Sequence, residues 1–477
     1  MATRALLIST YDLGHQPFGL ASPAAWLRRE GLDVVGADLS KERLADTALA
    51  DADLIAFHLP MHTATRLAAP VIRKARALNP RARLCAYGLY APLNGDWLRS
   101  LGVDDILGGE FESDLAVIAR RVSQPGGPAP DIHDCVTSDL KVRPDGTAPV
   151  AHVPKLHFIT PDRSGLLPLG RYATVHLGDG TSRVAGYTEA SRGCRHLCRH
   201  CPIVPVYNGQ FRVVQQDVVL ADIDAQVAAG ARHITFGDPD FFNGPTHAVR
   251  IVQALHAAHP SLSYDVTIKV EHLLNHRDLL PVLAATGCLF ITSAVESIDD
   301  RVLAILEKGH SRQDFVDAVA LCRAAGVMLV PTFVAFHPWM TLGDYCDLLQ
   351  TIAALDLVEH VAPIQLAIRL LVPAGSRLLE LPAVRSLVGA FDSNTLTYRW
   401  THPDPQVDAL QHDVSAVVGR RLTSDRREAF AAISALAHER AGRVAPPLPA
   451  SDTRPVAYLD EPWYCCAEPN PEQLTLV

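Results

Sequence analysis

The chain has 477 residues, of which 48% are hydrophobic and 20% charged, and its formal net charge is −9. Such a length exceeds one ordinary core and predicts roughly two to four domains. No apolar run is long enough to cross a bilayer, and Met1 leads within a few residues into a strand-like segment without signal-peptide features. A cytoplasmic protein with no membrane association is therefore expected. With no long block of Lys or Arg to neutralise a phosphate backbone, the acidic balance argues against a nucleic-acid partner.

Ten cysteines are too few for a disulfide scaffold. Cys85, Cys135, Cys288, Cys322 and Cys346 sit among apolar residues and read as small buried hydrophobes. The other five fall into two clusters.

In chain order, the first apolar segments are Ala5 to Ser9, Leu32 to Val35, Leu54 to Phe57, Leu84 to Tyr87 and Asp105 to Leu107. Helix-compatible stretches such as Thr63 to Leu78 separate them, and Ser113 to Val122 closes the series. This alternation predicts an α/β fold that starts with an open parallel sheet, a Rossmann-like or flavodoxin-like domain over residues 1–125. Ser123-Gln-Pro-Gly-Gly-Pro-Ala-Pro opens a linker that runs over residues 126–180.

A second alternation spans residues 181–378, with strand-like segments at Gly186, His233, Tyr264, Phe290, Val327 and Pro363. Its helices are expected over Asp217 to Ala229, Thr246 to His259, Asp299 to Leu306 and Arg312 to Ala325, the last stopped by Gly326. Six such units predict a partial (β/α) barrel with its chemistry at the C-terminal strand ends. Residues 379–477 read as a helical, polar extension that becomes Pro-rich and carries a Cys-Cys tail.

Ser191-Arg-Gly-Cys194-Arg-His-Leu-Cys198-Arg-His-Cys201-Pro places three thiols on one loop directly after the first barrel strand. Iron-sulfur clusters usually take four cysteines, so a trio leaves one iron open to a substrate or cofactor. Zinc, with His196 or His200 as a fourth ligand, is the competing reading, although structural zinc sites more often come as two separated pairs.

The three-then-two spacing at the end of a first barrel strand resembles the radical S-adenosylmethionine (SAM) superfamily, a likeness covering about residues 181 to 375. His200 stands where many members carry an aromatic residue. The resemblance implies a [4Fe-4S] cluster on Cys194, Cys198 and Cys201, a SAM cofactor, a small-molecule substrate and an electron donor such as flavodoxin or ferredoxin. It also implies cofactor-binding roles for Asp238 and Asp240 toward the methionine amino group, Glu296 toward the ribose hydroxyls and Arg369 toward the methionine carboxylate. Lys269 and Glu271 are further pocket candidates, equally consistent with a solvated rim.

Asp299 to His310 and Gly108-Gly-Glu-Phe-Glu resemble segments of the cobalamin-domain branch, which makes cobalamin a second expected cofactor. Asp12-Leu-Gly-His15 does not have the spacing of a lower-ligand histidine motif. Tyr464-Cys465-Cys466-Ala-Glu-Pro resembles the CCAEP or CUAEP tail of certain radical SAM proteins. Adjacent thiols suit a soft atom, so Cys465 and Cys466 are expected to take part in catalysis by holding an arsenic or selenium species, with 3-amino-3-carboxypropyl transfer as one outcome. Two alternatives stand beside that reading: a cobalamin-dependent radical SAM methyltransferase, and a non-catalytic iron-sulfur or zinc sensor of redox state or metalloids.

Overall fold

The computed structural model describes residues 3–123, 153–420, 425–450 and 456–460. At the N-terminus, β1 (Arg4–Ser9), β2 (Asp33–Asp38), β3 (Leu54–His58), β4 (Arg83–Tyr87) and β5 (Asp105–Leu107) form a parallel sheet in the order β2-β1-β3-β4-β5. Both faces are covered, which is why these strands read as nearly continuous apolar runs. Pleating sorts the side chains between the faces. Leu6, Ile8, Ile55 and Phe57 pack with the helix His62–Leu78. Ala5, Leu7, Leu54 and Ala56 pack with the helices Phe18–Arg29 and Glu112–Ser123. Because β1 pairs with β2 on one side and β3 on the other, the strand order reverses there and opens a crevice at the C-terminal strand ends.

The second sheet is curled and partly barrel-like. It comprises β6 (Thr174–His176), β7 (Ser182–Thr188), β10 (His233–Phe236), β11 (Ser263–Thr267), β12 (Cys288–Glu296), β13 (Met328–Phe333) and β16 (Tyr458–Leu459). A separate two-stranded ladder, β8 (Ser191–Gly193) with β9 (Phe211–Val213), frames the cysteine loop. Another, β14 (Val388–Asp392) with β15 (Thr397–Trp400), lies in the C-terminal region. The strands β7, β10, β11, β12 and β13 run parallel. β6 and β16 add antiparallel pairings at one edge, so the segment expected to be pure linker contributes a strand.

Helices Gln216–Ala228, Pro245–Ala258, Arg312–Ala325 and Leu342–Ala354 cover the outside through Ile223, Ile251, Phe315 and Tyr345. The third is well bounded: Ser311 and Asp314 form a capping box, and Gly326 ends it at φ 76°.

Two further expectations are corrected. Pro363–Leu366 is a short 3-10 helix rather than a sixth strand, and the parallel pairing there shrinks to the single bridge Phe336 to Arg369. Pro363 cannot donate to a ladder, and the Gln365 side chain takes over part of the β13 edge by accepting the Phe333 N–H at 3.2 Å. The C-terminal extension is not wholly helical: the β14 and β15 hairpin precedes the helices Pro405–Arg420 and Arg426–Arg440.

The two sheets are joined through Arg192 on β8. Its guanidinium gives Glu112 two bonds of 2.6 and 2.9 Å, reaches Glu110 at 3.1 Å and Glu189 at 2.6 Å. Phe18, Phe111 and Phe158 surround it with ring centroids 5.5, 5.5 and 4.8 Å away. Glu110 and Glu112 belong to the end of the N-terminal sheet, so this buried cluster locks that sheet onto the cysteine loop. Burial, with Glu112 and Glu189 adding to it against the pull of Arg192, pushes Glu110 up to about 7. Replacing Arg192 by Met is expected to cost roughly 3–5 kcal/mol, because the buried carboxylates lose their cation. Denaturant titration should show that loss shrinking at pH 5.5 relative to pH 8, as protonation relieves the carboxylates.

Candidate active site

The C-terminal strand ends of the two sheets face each other across a cavity of about 330 Å³. From the N-terminal sheet come Leu13 and His15 after β1, Met61 after β3, and Tyr90 after β4. These are the loops at the strand-order reversal. From the barrel come the cysteine loop, the segment after β10 and inward-facing residues of β11, β12 and β13.

Cys194, Cys198 and Cys201 all line this cavity and are free thiols. Gly193 turns the chain into the loop at φ 75°, and a Cβ there would lie 2.3 Å from the Tyr207 ring. Asn243, in the turn after β10, pins the same loop: its amide donates to the Gly193 carbonyl at 3.3 Å and its oxygen accepts the Arg195 N–H at 3.2 Å. Burial pushes the Cys194 thiol up to about 11. Three thiols on one pinned loop, facing one cavity, fit a cluster held by three protein ligands. His200 Nε2 meets Glu296, and His196 Nε2 faces Asp240.

Asp238 has both oxygens engaged. Its Oδ1 accepts the Ser191 hydroxyl at 2.5 Å, and its Oδ2 accepts the Ala190 N–H at 2.9 Å. It therefore braces the strand that carries the cysteine loop. Asp240 Oδ1 caps the following turn by accepting the Phe242 N–H at 3.1 Å. Its Oδ2 lies 2.8 Å from His272 Nδ1 and 3.5 Å from His196 Nε2. Burial alone would raise Asp240, but the two imidazoles hold it below the ordinary carboxylate range. Lys269 reaches His196 Nδ1 and Glu271, each at 3.1 Å.

Glu296 ends β12 at a register shift, with φ 69°. It is held there by His200 at 3.1 Å and by Lys308 at 3.4 Å. Burial opposes its ionisation, yet Lys308 and His200 outweigh that and hold it at about 2. Lys308 is buried, and the Glu296 carboxylate beside it, with Cys198 and Cys201 nearby, raises its pKa against the desolvation of its ammonium form.

Arg369 does not line the cavity. Its guanidinium donates to Asp408 at 2.6 Å and to the Trp400 carbonyl at 2.8 Å, and stacks 3.5 Å from the centre of the Trp400 ring. It fastens the C-terminal helices and hairpin to the barrel edge. Cys465 and Cys466 lie outside the described residues. Sequence reasoning passed over His272, which sits in the short helix Val270–Asn275 without a motif. It passed over His15 as a cavity residue because only the sheet topology brings that loop to the barrel.

Burial pushes Asp238 up to about 7, against the bonds from Ser191 and Ala190. An acid with a raised folded pKa holds its proton longer in the folded than in the unfolded state, so stability falls as pH rises through about 4 to 7. The change is expected to reach about 4 kcal/mol, and urea unfolding across this range should show Asp238→Asn removing it.

Residues 188–352 match the family model described as the Radical SAM superfamily. The tRNA-2-methylthio-N(6)-dimethylallyladenosine synthase of Chlorobaculum tepidum is 27% identical over 149 residues, covering 30% of this chain and 33% of that protein. The chain spans about a third to two fifths of the length of the curated relatives it matches. Among solved structures, the cobalamin-dependent SAM radical enzyme OxsB, with aqua-cobalamin bound, is similar at TM-score 0.69 and 15% identity, over 92% of this chain and 71% of that one. The radical SAM methyltransferase TsrM from Kitasatospora setae, with cobalamin and a [4Fe-4S] cluster bound, is similar at TM-score 0.57 and 16% identity, over 75% and 71%. At these identities the likeness is one of fold. Residues 188–352 therefore have the architecture of a radical SAM catalytic domain, and its cysteine loop faces the cavity.

Proposed function

We propose that this chain is a cobalamin-dependent radical SAM enzyme that transfers a methyl group to a small molecule. The observation that carries the reading is that one cavity is shared by the cysteine loop and by the strand-order reversal of the N-terminal sheet. The order β2-β1-β3-β4-β5 is that of flavodoxin-like sheets, whose ligands bind at such a reversal. The resemblance in fold to two cobalamin-containing enzymes supports the same reading.

The residues at that edge fit a corrin. Leu13, Pro60, Met61 and Leu89 present an apolar lip. His15 is held neutral, its pKa lowered to about 4 by burial, and its Nδ1 has no hydrogen-bond partner. Cys194, Cys198 and Cys201 would hold the cluster and leave one iron open. When bound, SAM and cobalamin would supply the radical and the methyl group.

The chain's own residues would do the positioning. Glu296, fixed by His200 and Lys308, presents a carboxylate beside the cysteine loop. Phe236, Phe290 and Phe333 line the barrel interior and keep water from a reactive intermediate. Asp265 and Thr235 supply polar contacts on the same wall, already linked to each other at 2.7 Å. Most of the curated relatives are named for tRNA modification, whereas the net charge of −9 and a cavity of about 330 Å³ favour a small substrate here. An external donor such as flavodoxin or ferredoxin would deliver the electron. Cys465 and Cys466, on which the metalloid reading rests, lie outside the described residues.

Anaerobic reconstitution with iron, sulfide and hydroxocobalamin tests the proposal. About four irons and one corrin per chain are expected, with S-adenosylhomocysteine and 5'-deoxyadenosine formed under strong reductant. Cys194→Ala should lose the cluster and keep the corrin. An intact cluster with no corrin bound would defeat the methyl-transfer reading, and methylthioadenosine as product would point to the 3-amino-3-carboxypropyl alternative. Zinc in place of iron, with no SAM cleavage, would leave the sensor.

A further inference from the structure

Among the described residues, His196, Asp240 and His272 bring three ligand atoms within 4.8 Å of one another. All three atoms, His196 Nε2, Asp240 Oδ2 and His272 Nδ1, are buried and have no hydrogen-bond partner. His272 approaches Asp240 to 2.8 Å, an ion-pair contact that lacks the geometry of a hydrogen bond. Leaving such atoms unsatisfied is costly, and their convergence on one point is what a cation would resolve. Asp240 and His272 have side chains only 2% and 4% exposed, so water does not readily substitute.

The surroundings are those of a built ligand set. Asp240 Oδ1 is occupied by the Phe242 N–H, which fixes the carboxylate and leaves Oδ2 to face the histidines. Lys269 reaches His196 Nδ1 at 3.1 Å and Glu271 Oε2 lies 3.6 Å from it, on the far side of the ring from Asp240, so a ligating Nε2 requires the Nδ1 proton to turn from the lysine to that carboxylate. Lys269 bonds Glu271 and so holds it in place.

We infer that His196, Asp240 and His272 form a second metal site, separate from the cysteine trio, for one divalent first-row cation of the zinc or iron(II) class. Two imidazoles and one carboxylate are the donor set for such ions, and ligand bonds of about 2.0–2.2 Å set donor atoms roughly 3–4 Å apart. Three protein ligands leave a coordination position free. His196 and Asp240 both line the cavity, so that position opens toward it. The cation would sit beside the cluster loop as a Lewis acid able to take a carboxylate, amine or hydroxyl of the molecule in the cavity.

Zinc is the probe for the test. Protein reconstituted anaerobically to four irons and four sulfides is given one equivalent of Zn(II), desalted, and analysed for both metals, with the cluster followed by electron paramagnetic resonance. The expected result is one zinc per chain alongside four irons. His272→Ala is expected to weaken zinc binding roughly 100-fold or more while the iron content and cluster spectrum stay unchanged. Asp240→Asn, which keeps the cap on Phe242, should do the same and covers the case in which the first variant misfolds. Full iron with no zinc in the parent, or zinc retained equally in both variants, would overturn the inference. Failure to assemble four irons would instead count against the proposed function, so the two can be told apart.

Discussion

The arrangement of this molecule depends on one buried cation, Arg192. A single guanidinium serves Glu110 and Glu112 from the end of the N-terminal sheet and Glu189 from the barrel, inside a shell of three phenylalanines. Desolvating so many charges is unfavourable unless the geometry is nearly complete. The cluster therefore specifies one mutual placement of the two sheets more than it stabilises the chain. Since Arg192 stands two residues before Cys194, that placement also aims the cysteine loop.

From this lock follows the position of the cavity. Two sheets with the C-terminal ends of their parallel strands facing one another bring loops more than 100 residues apart in sequence to one cavity, Leu13 and His15 from one sheet and Cys194 to Cys201 from the other. Backbone geometry then refines it. Gly193 turns sharply where no side chain fits, and Glu296 is held at positive φ by its neighbours Lys308 and His200. Strain of this kind persists where surrounding contacts over-determine a residue, as Lys308 and His200 do here.

The charges of the site are sorted by partner rather than by exposure. Glu296 and Asp240 are buried carboxylates held ionised by neighbouring cations or imidazoles. Asp238, equally buried but bonded only to a hydroxyl and an amide, is pushed toward its neutral form. Three acids within one wall thus have different tasks: Asp238 braces a strand, Asp240 faces a histidine pair, and Glu296 stays charged beside the cysteines.

Much of this was legible in the sequence. Apolar runs and their spacing marked the strands of both sheets, because a parallel strand buried on both faces has to be apolar throughout. Ser311 and Gly326 marked a helix by its ends, and the cysteine spacing singled out the loop, since ligands on one short loop are fixed by local chain geometry. The sixth strand failed because Pro363 and the competing Gln365 side chain alter an edge that hydropathy alone cannot distinguish. Arg369 was ambiguous for a related reason: a strand-end arginine can turn into the barrel toward a carboxylate or outward into an ion pair, and Asp408 and Trp400, far along the chain, draw it outward. His272, His15 and the partners of Arg192 have no local signature at all. Local order along the chain was determined by the sequence through periodicity and spacing; which polar side chains meet was decided only by the tertiary structure, because contacts between distant residues depend on how two whole sheets dock.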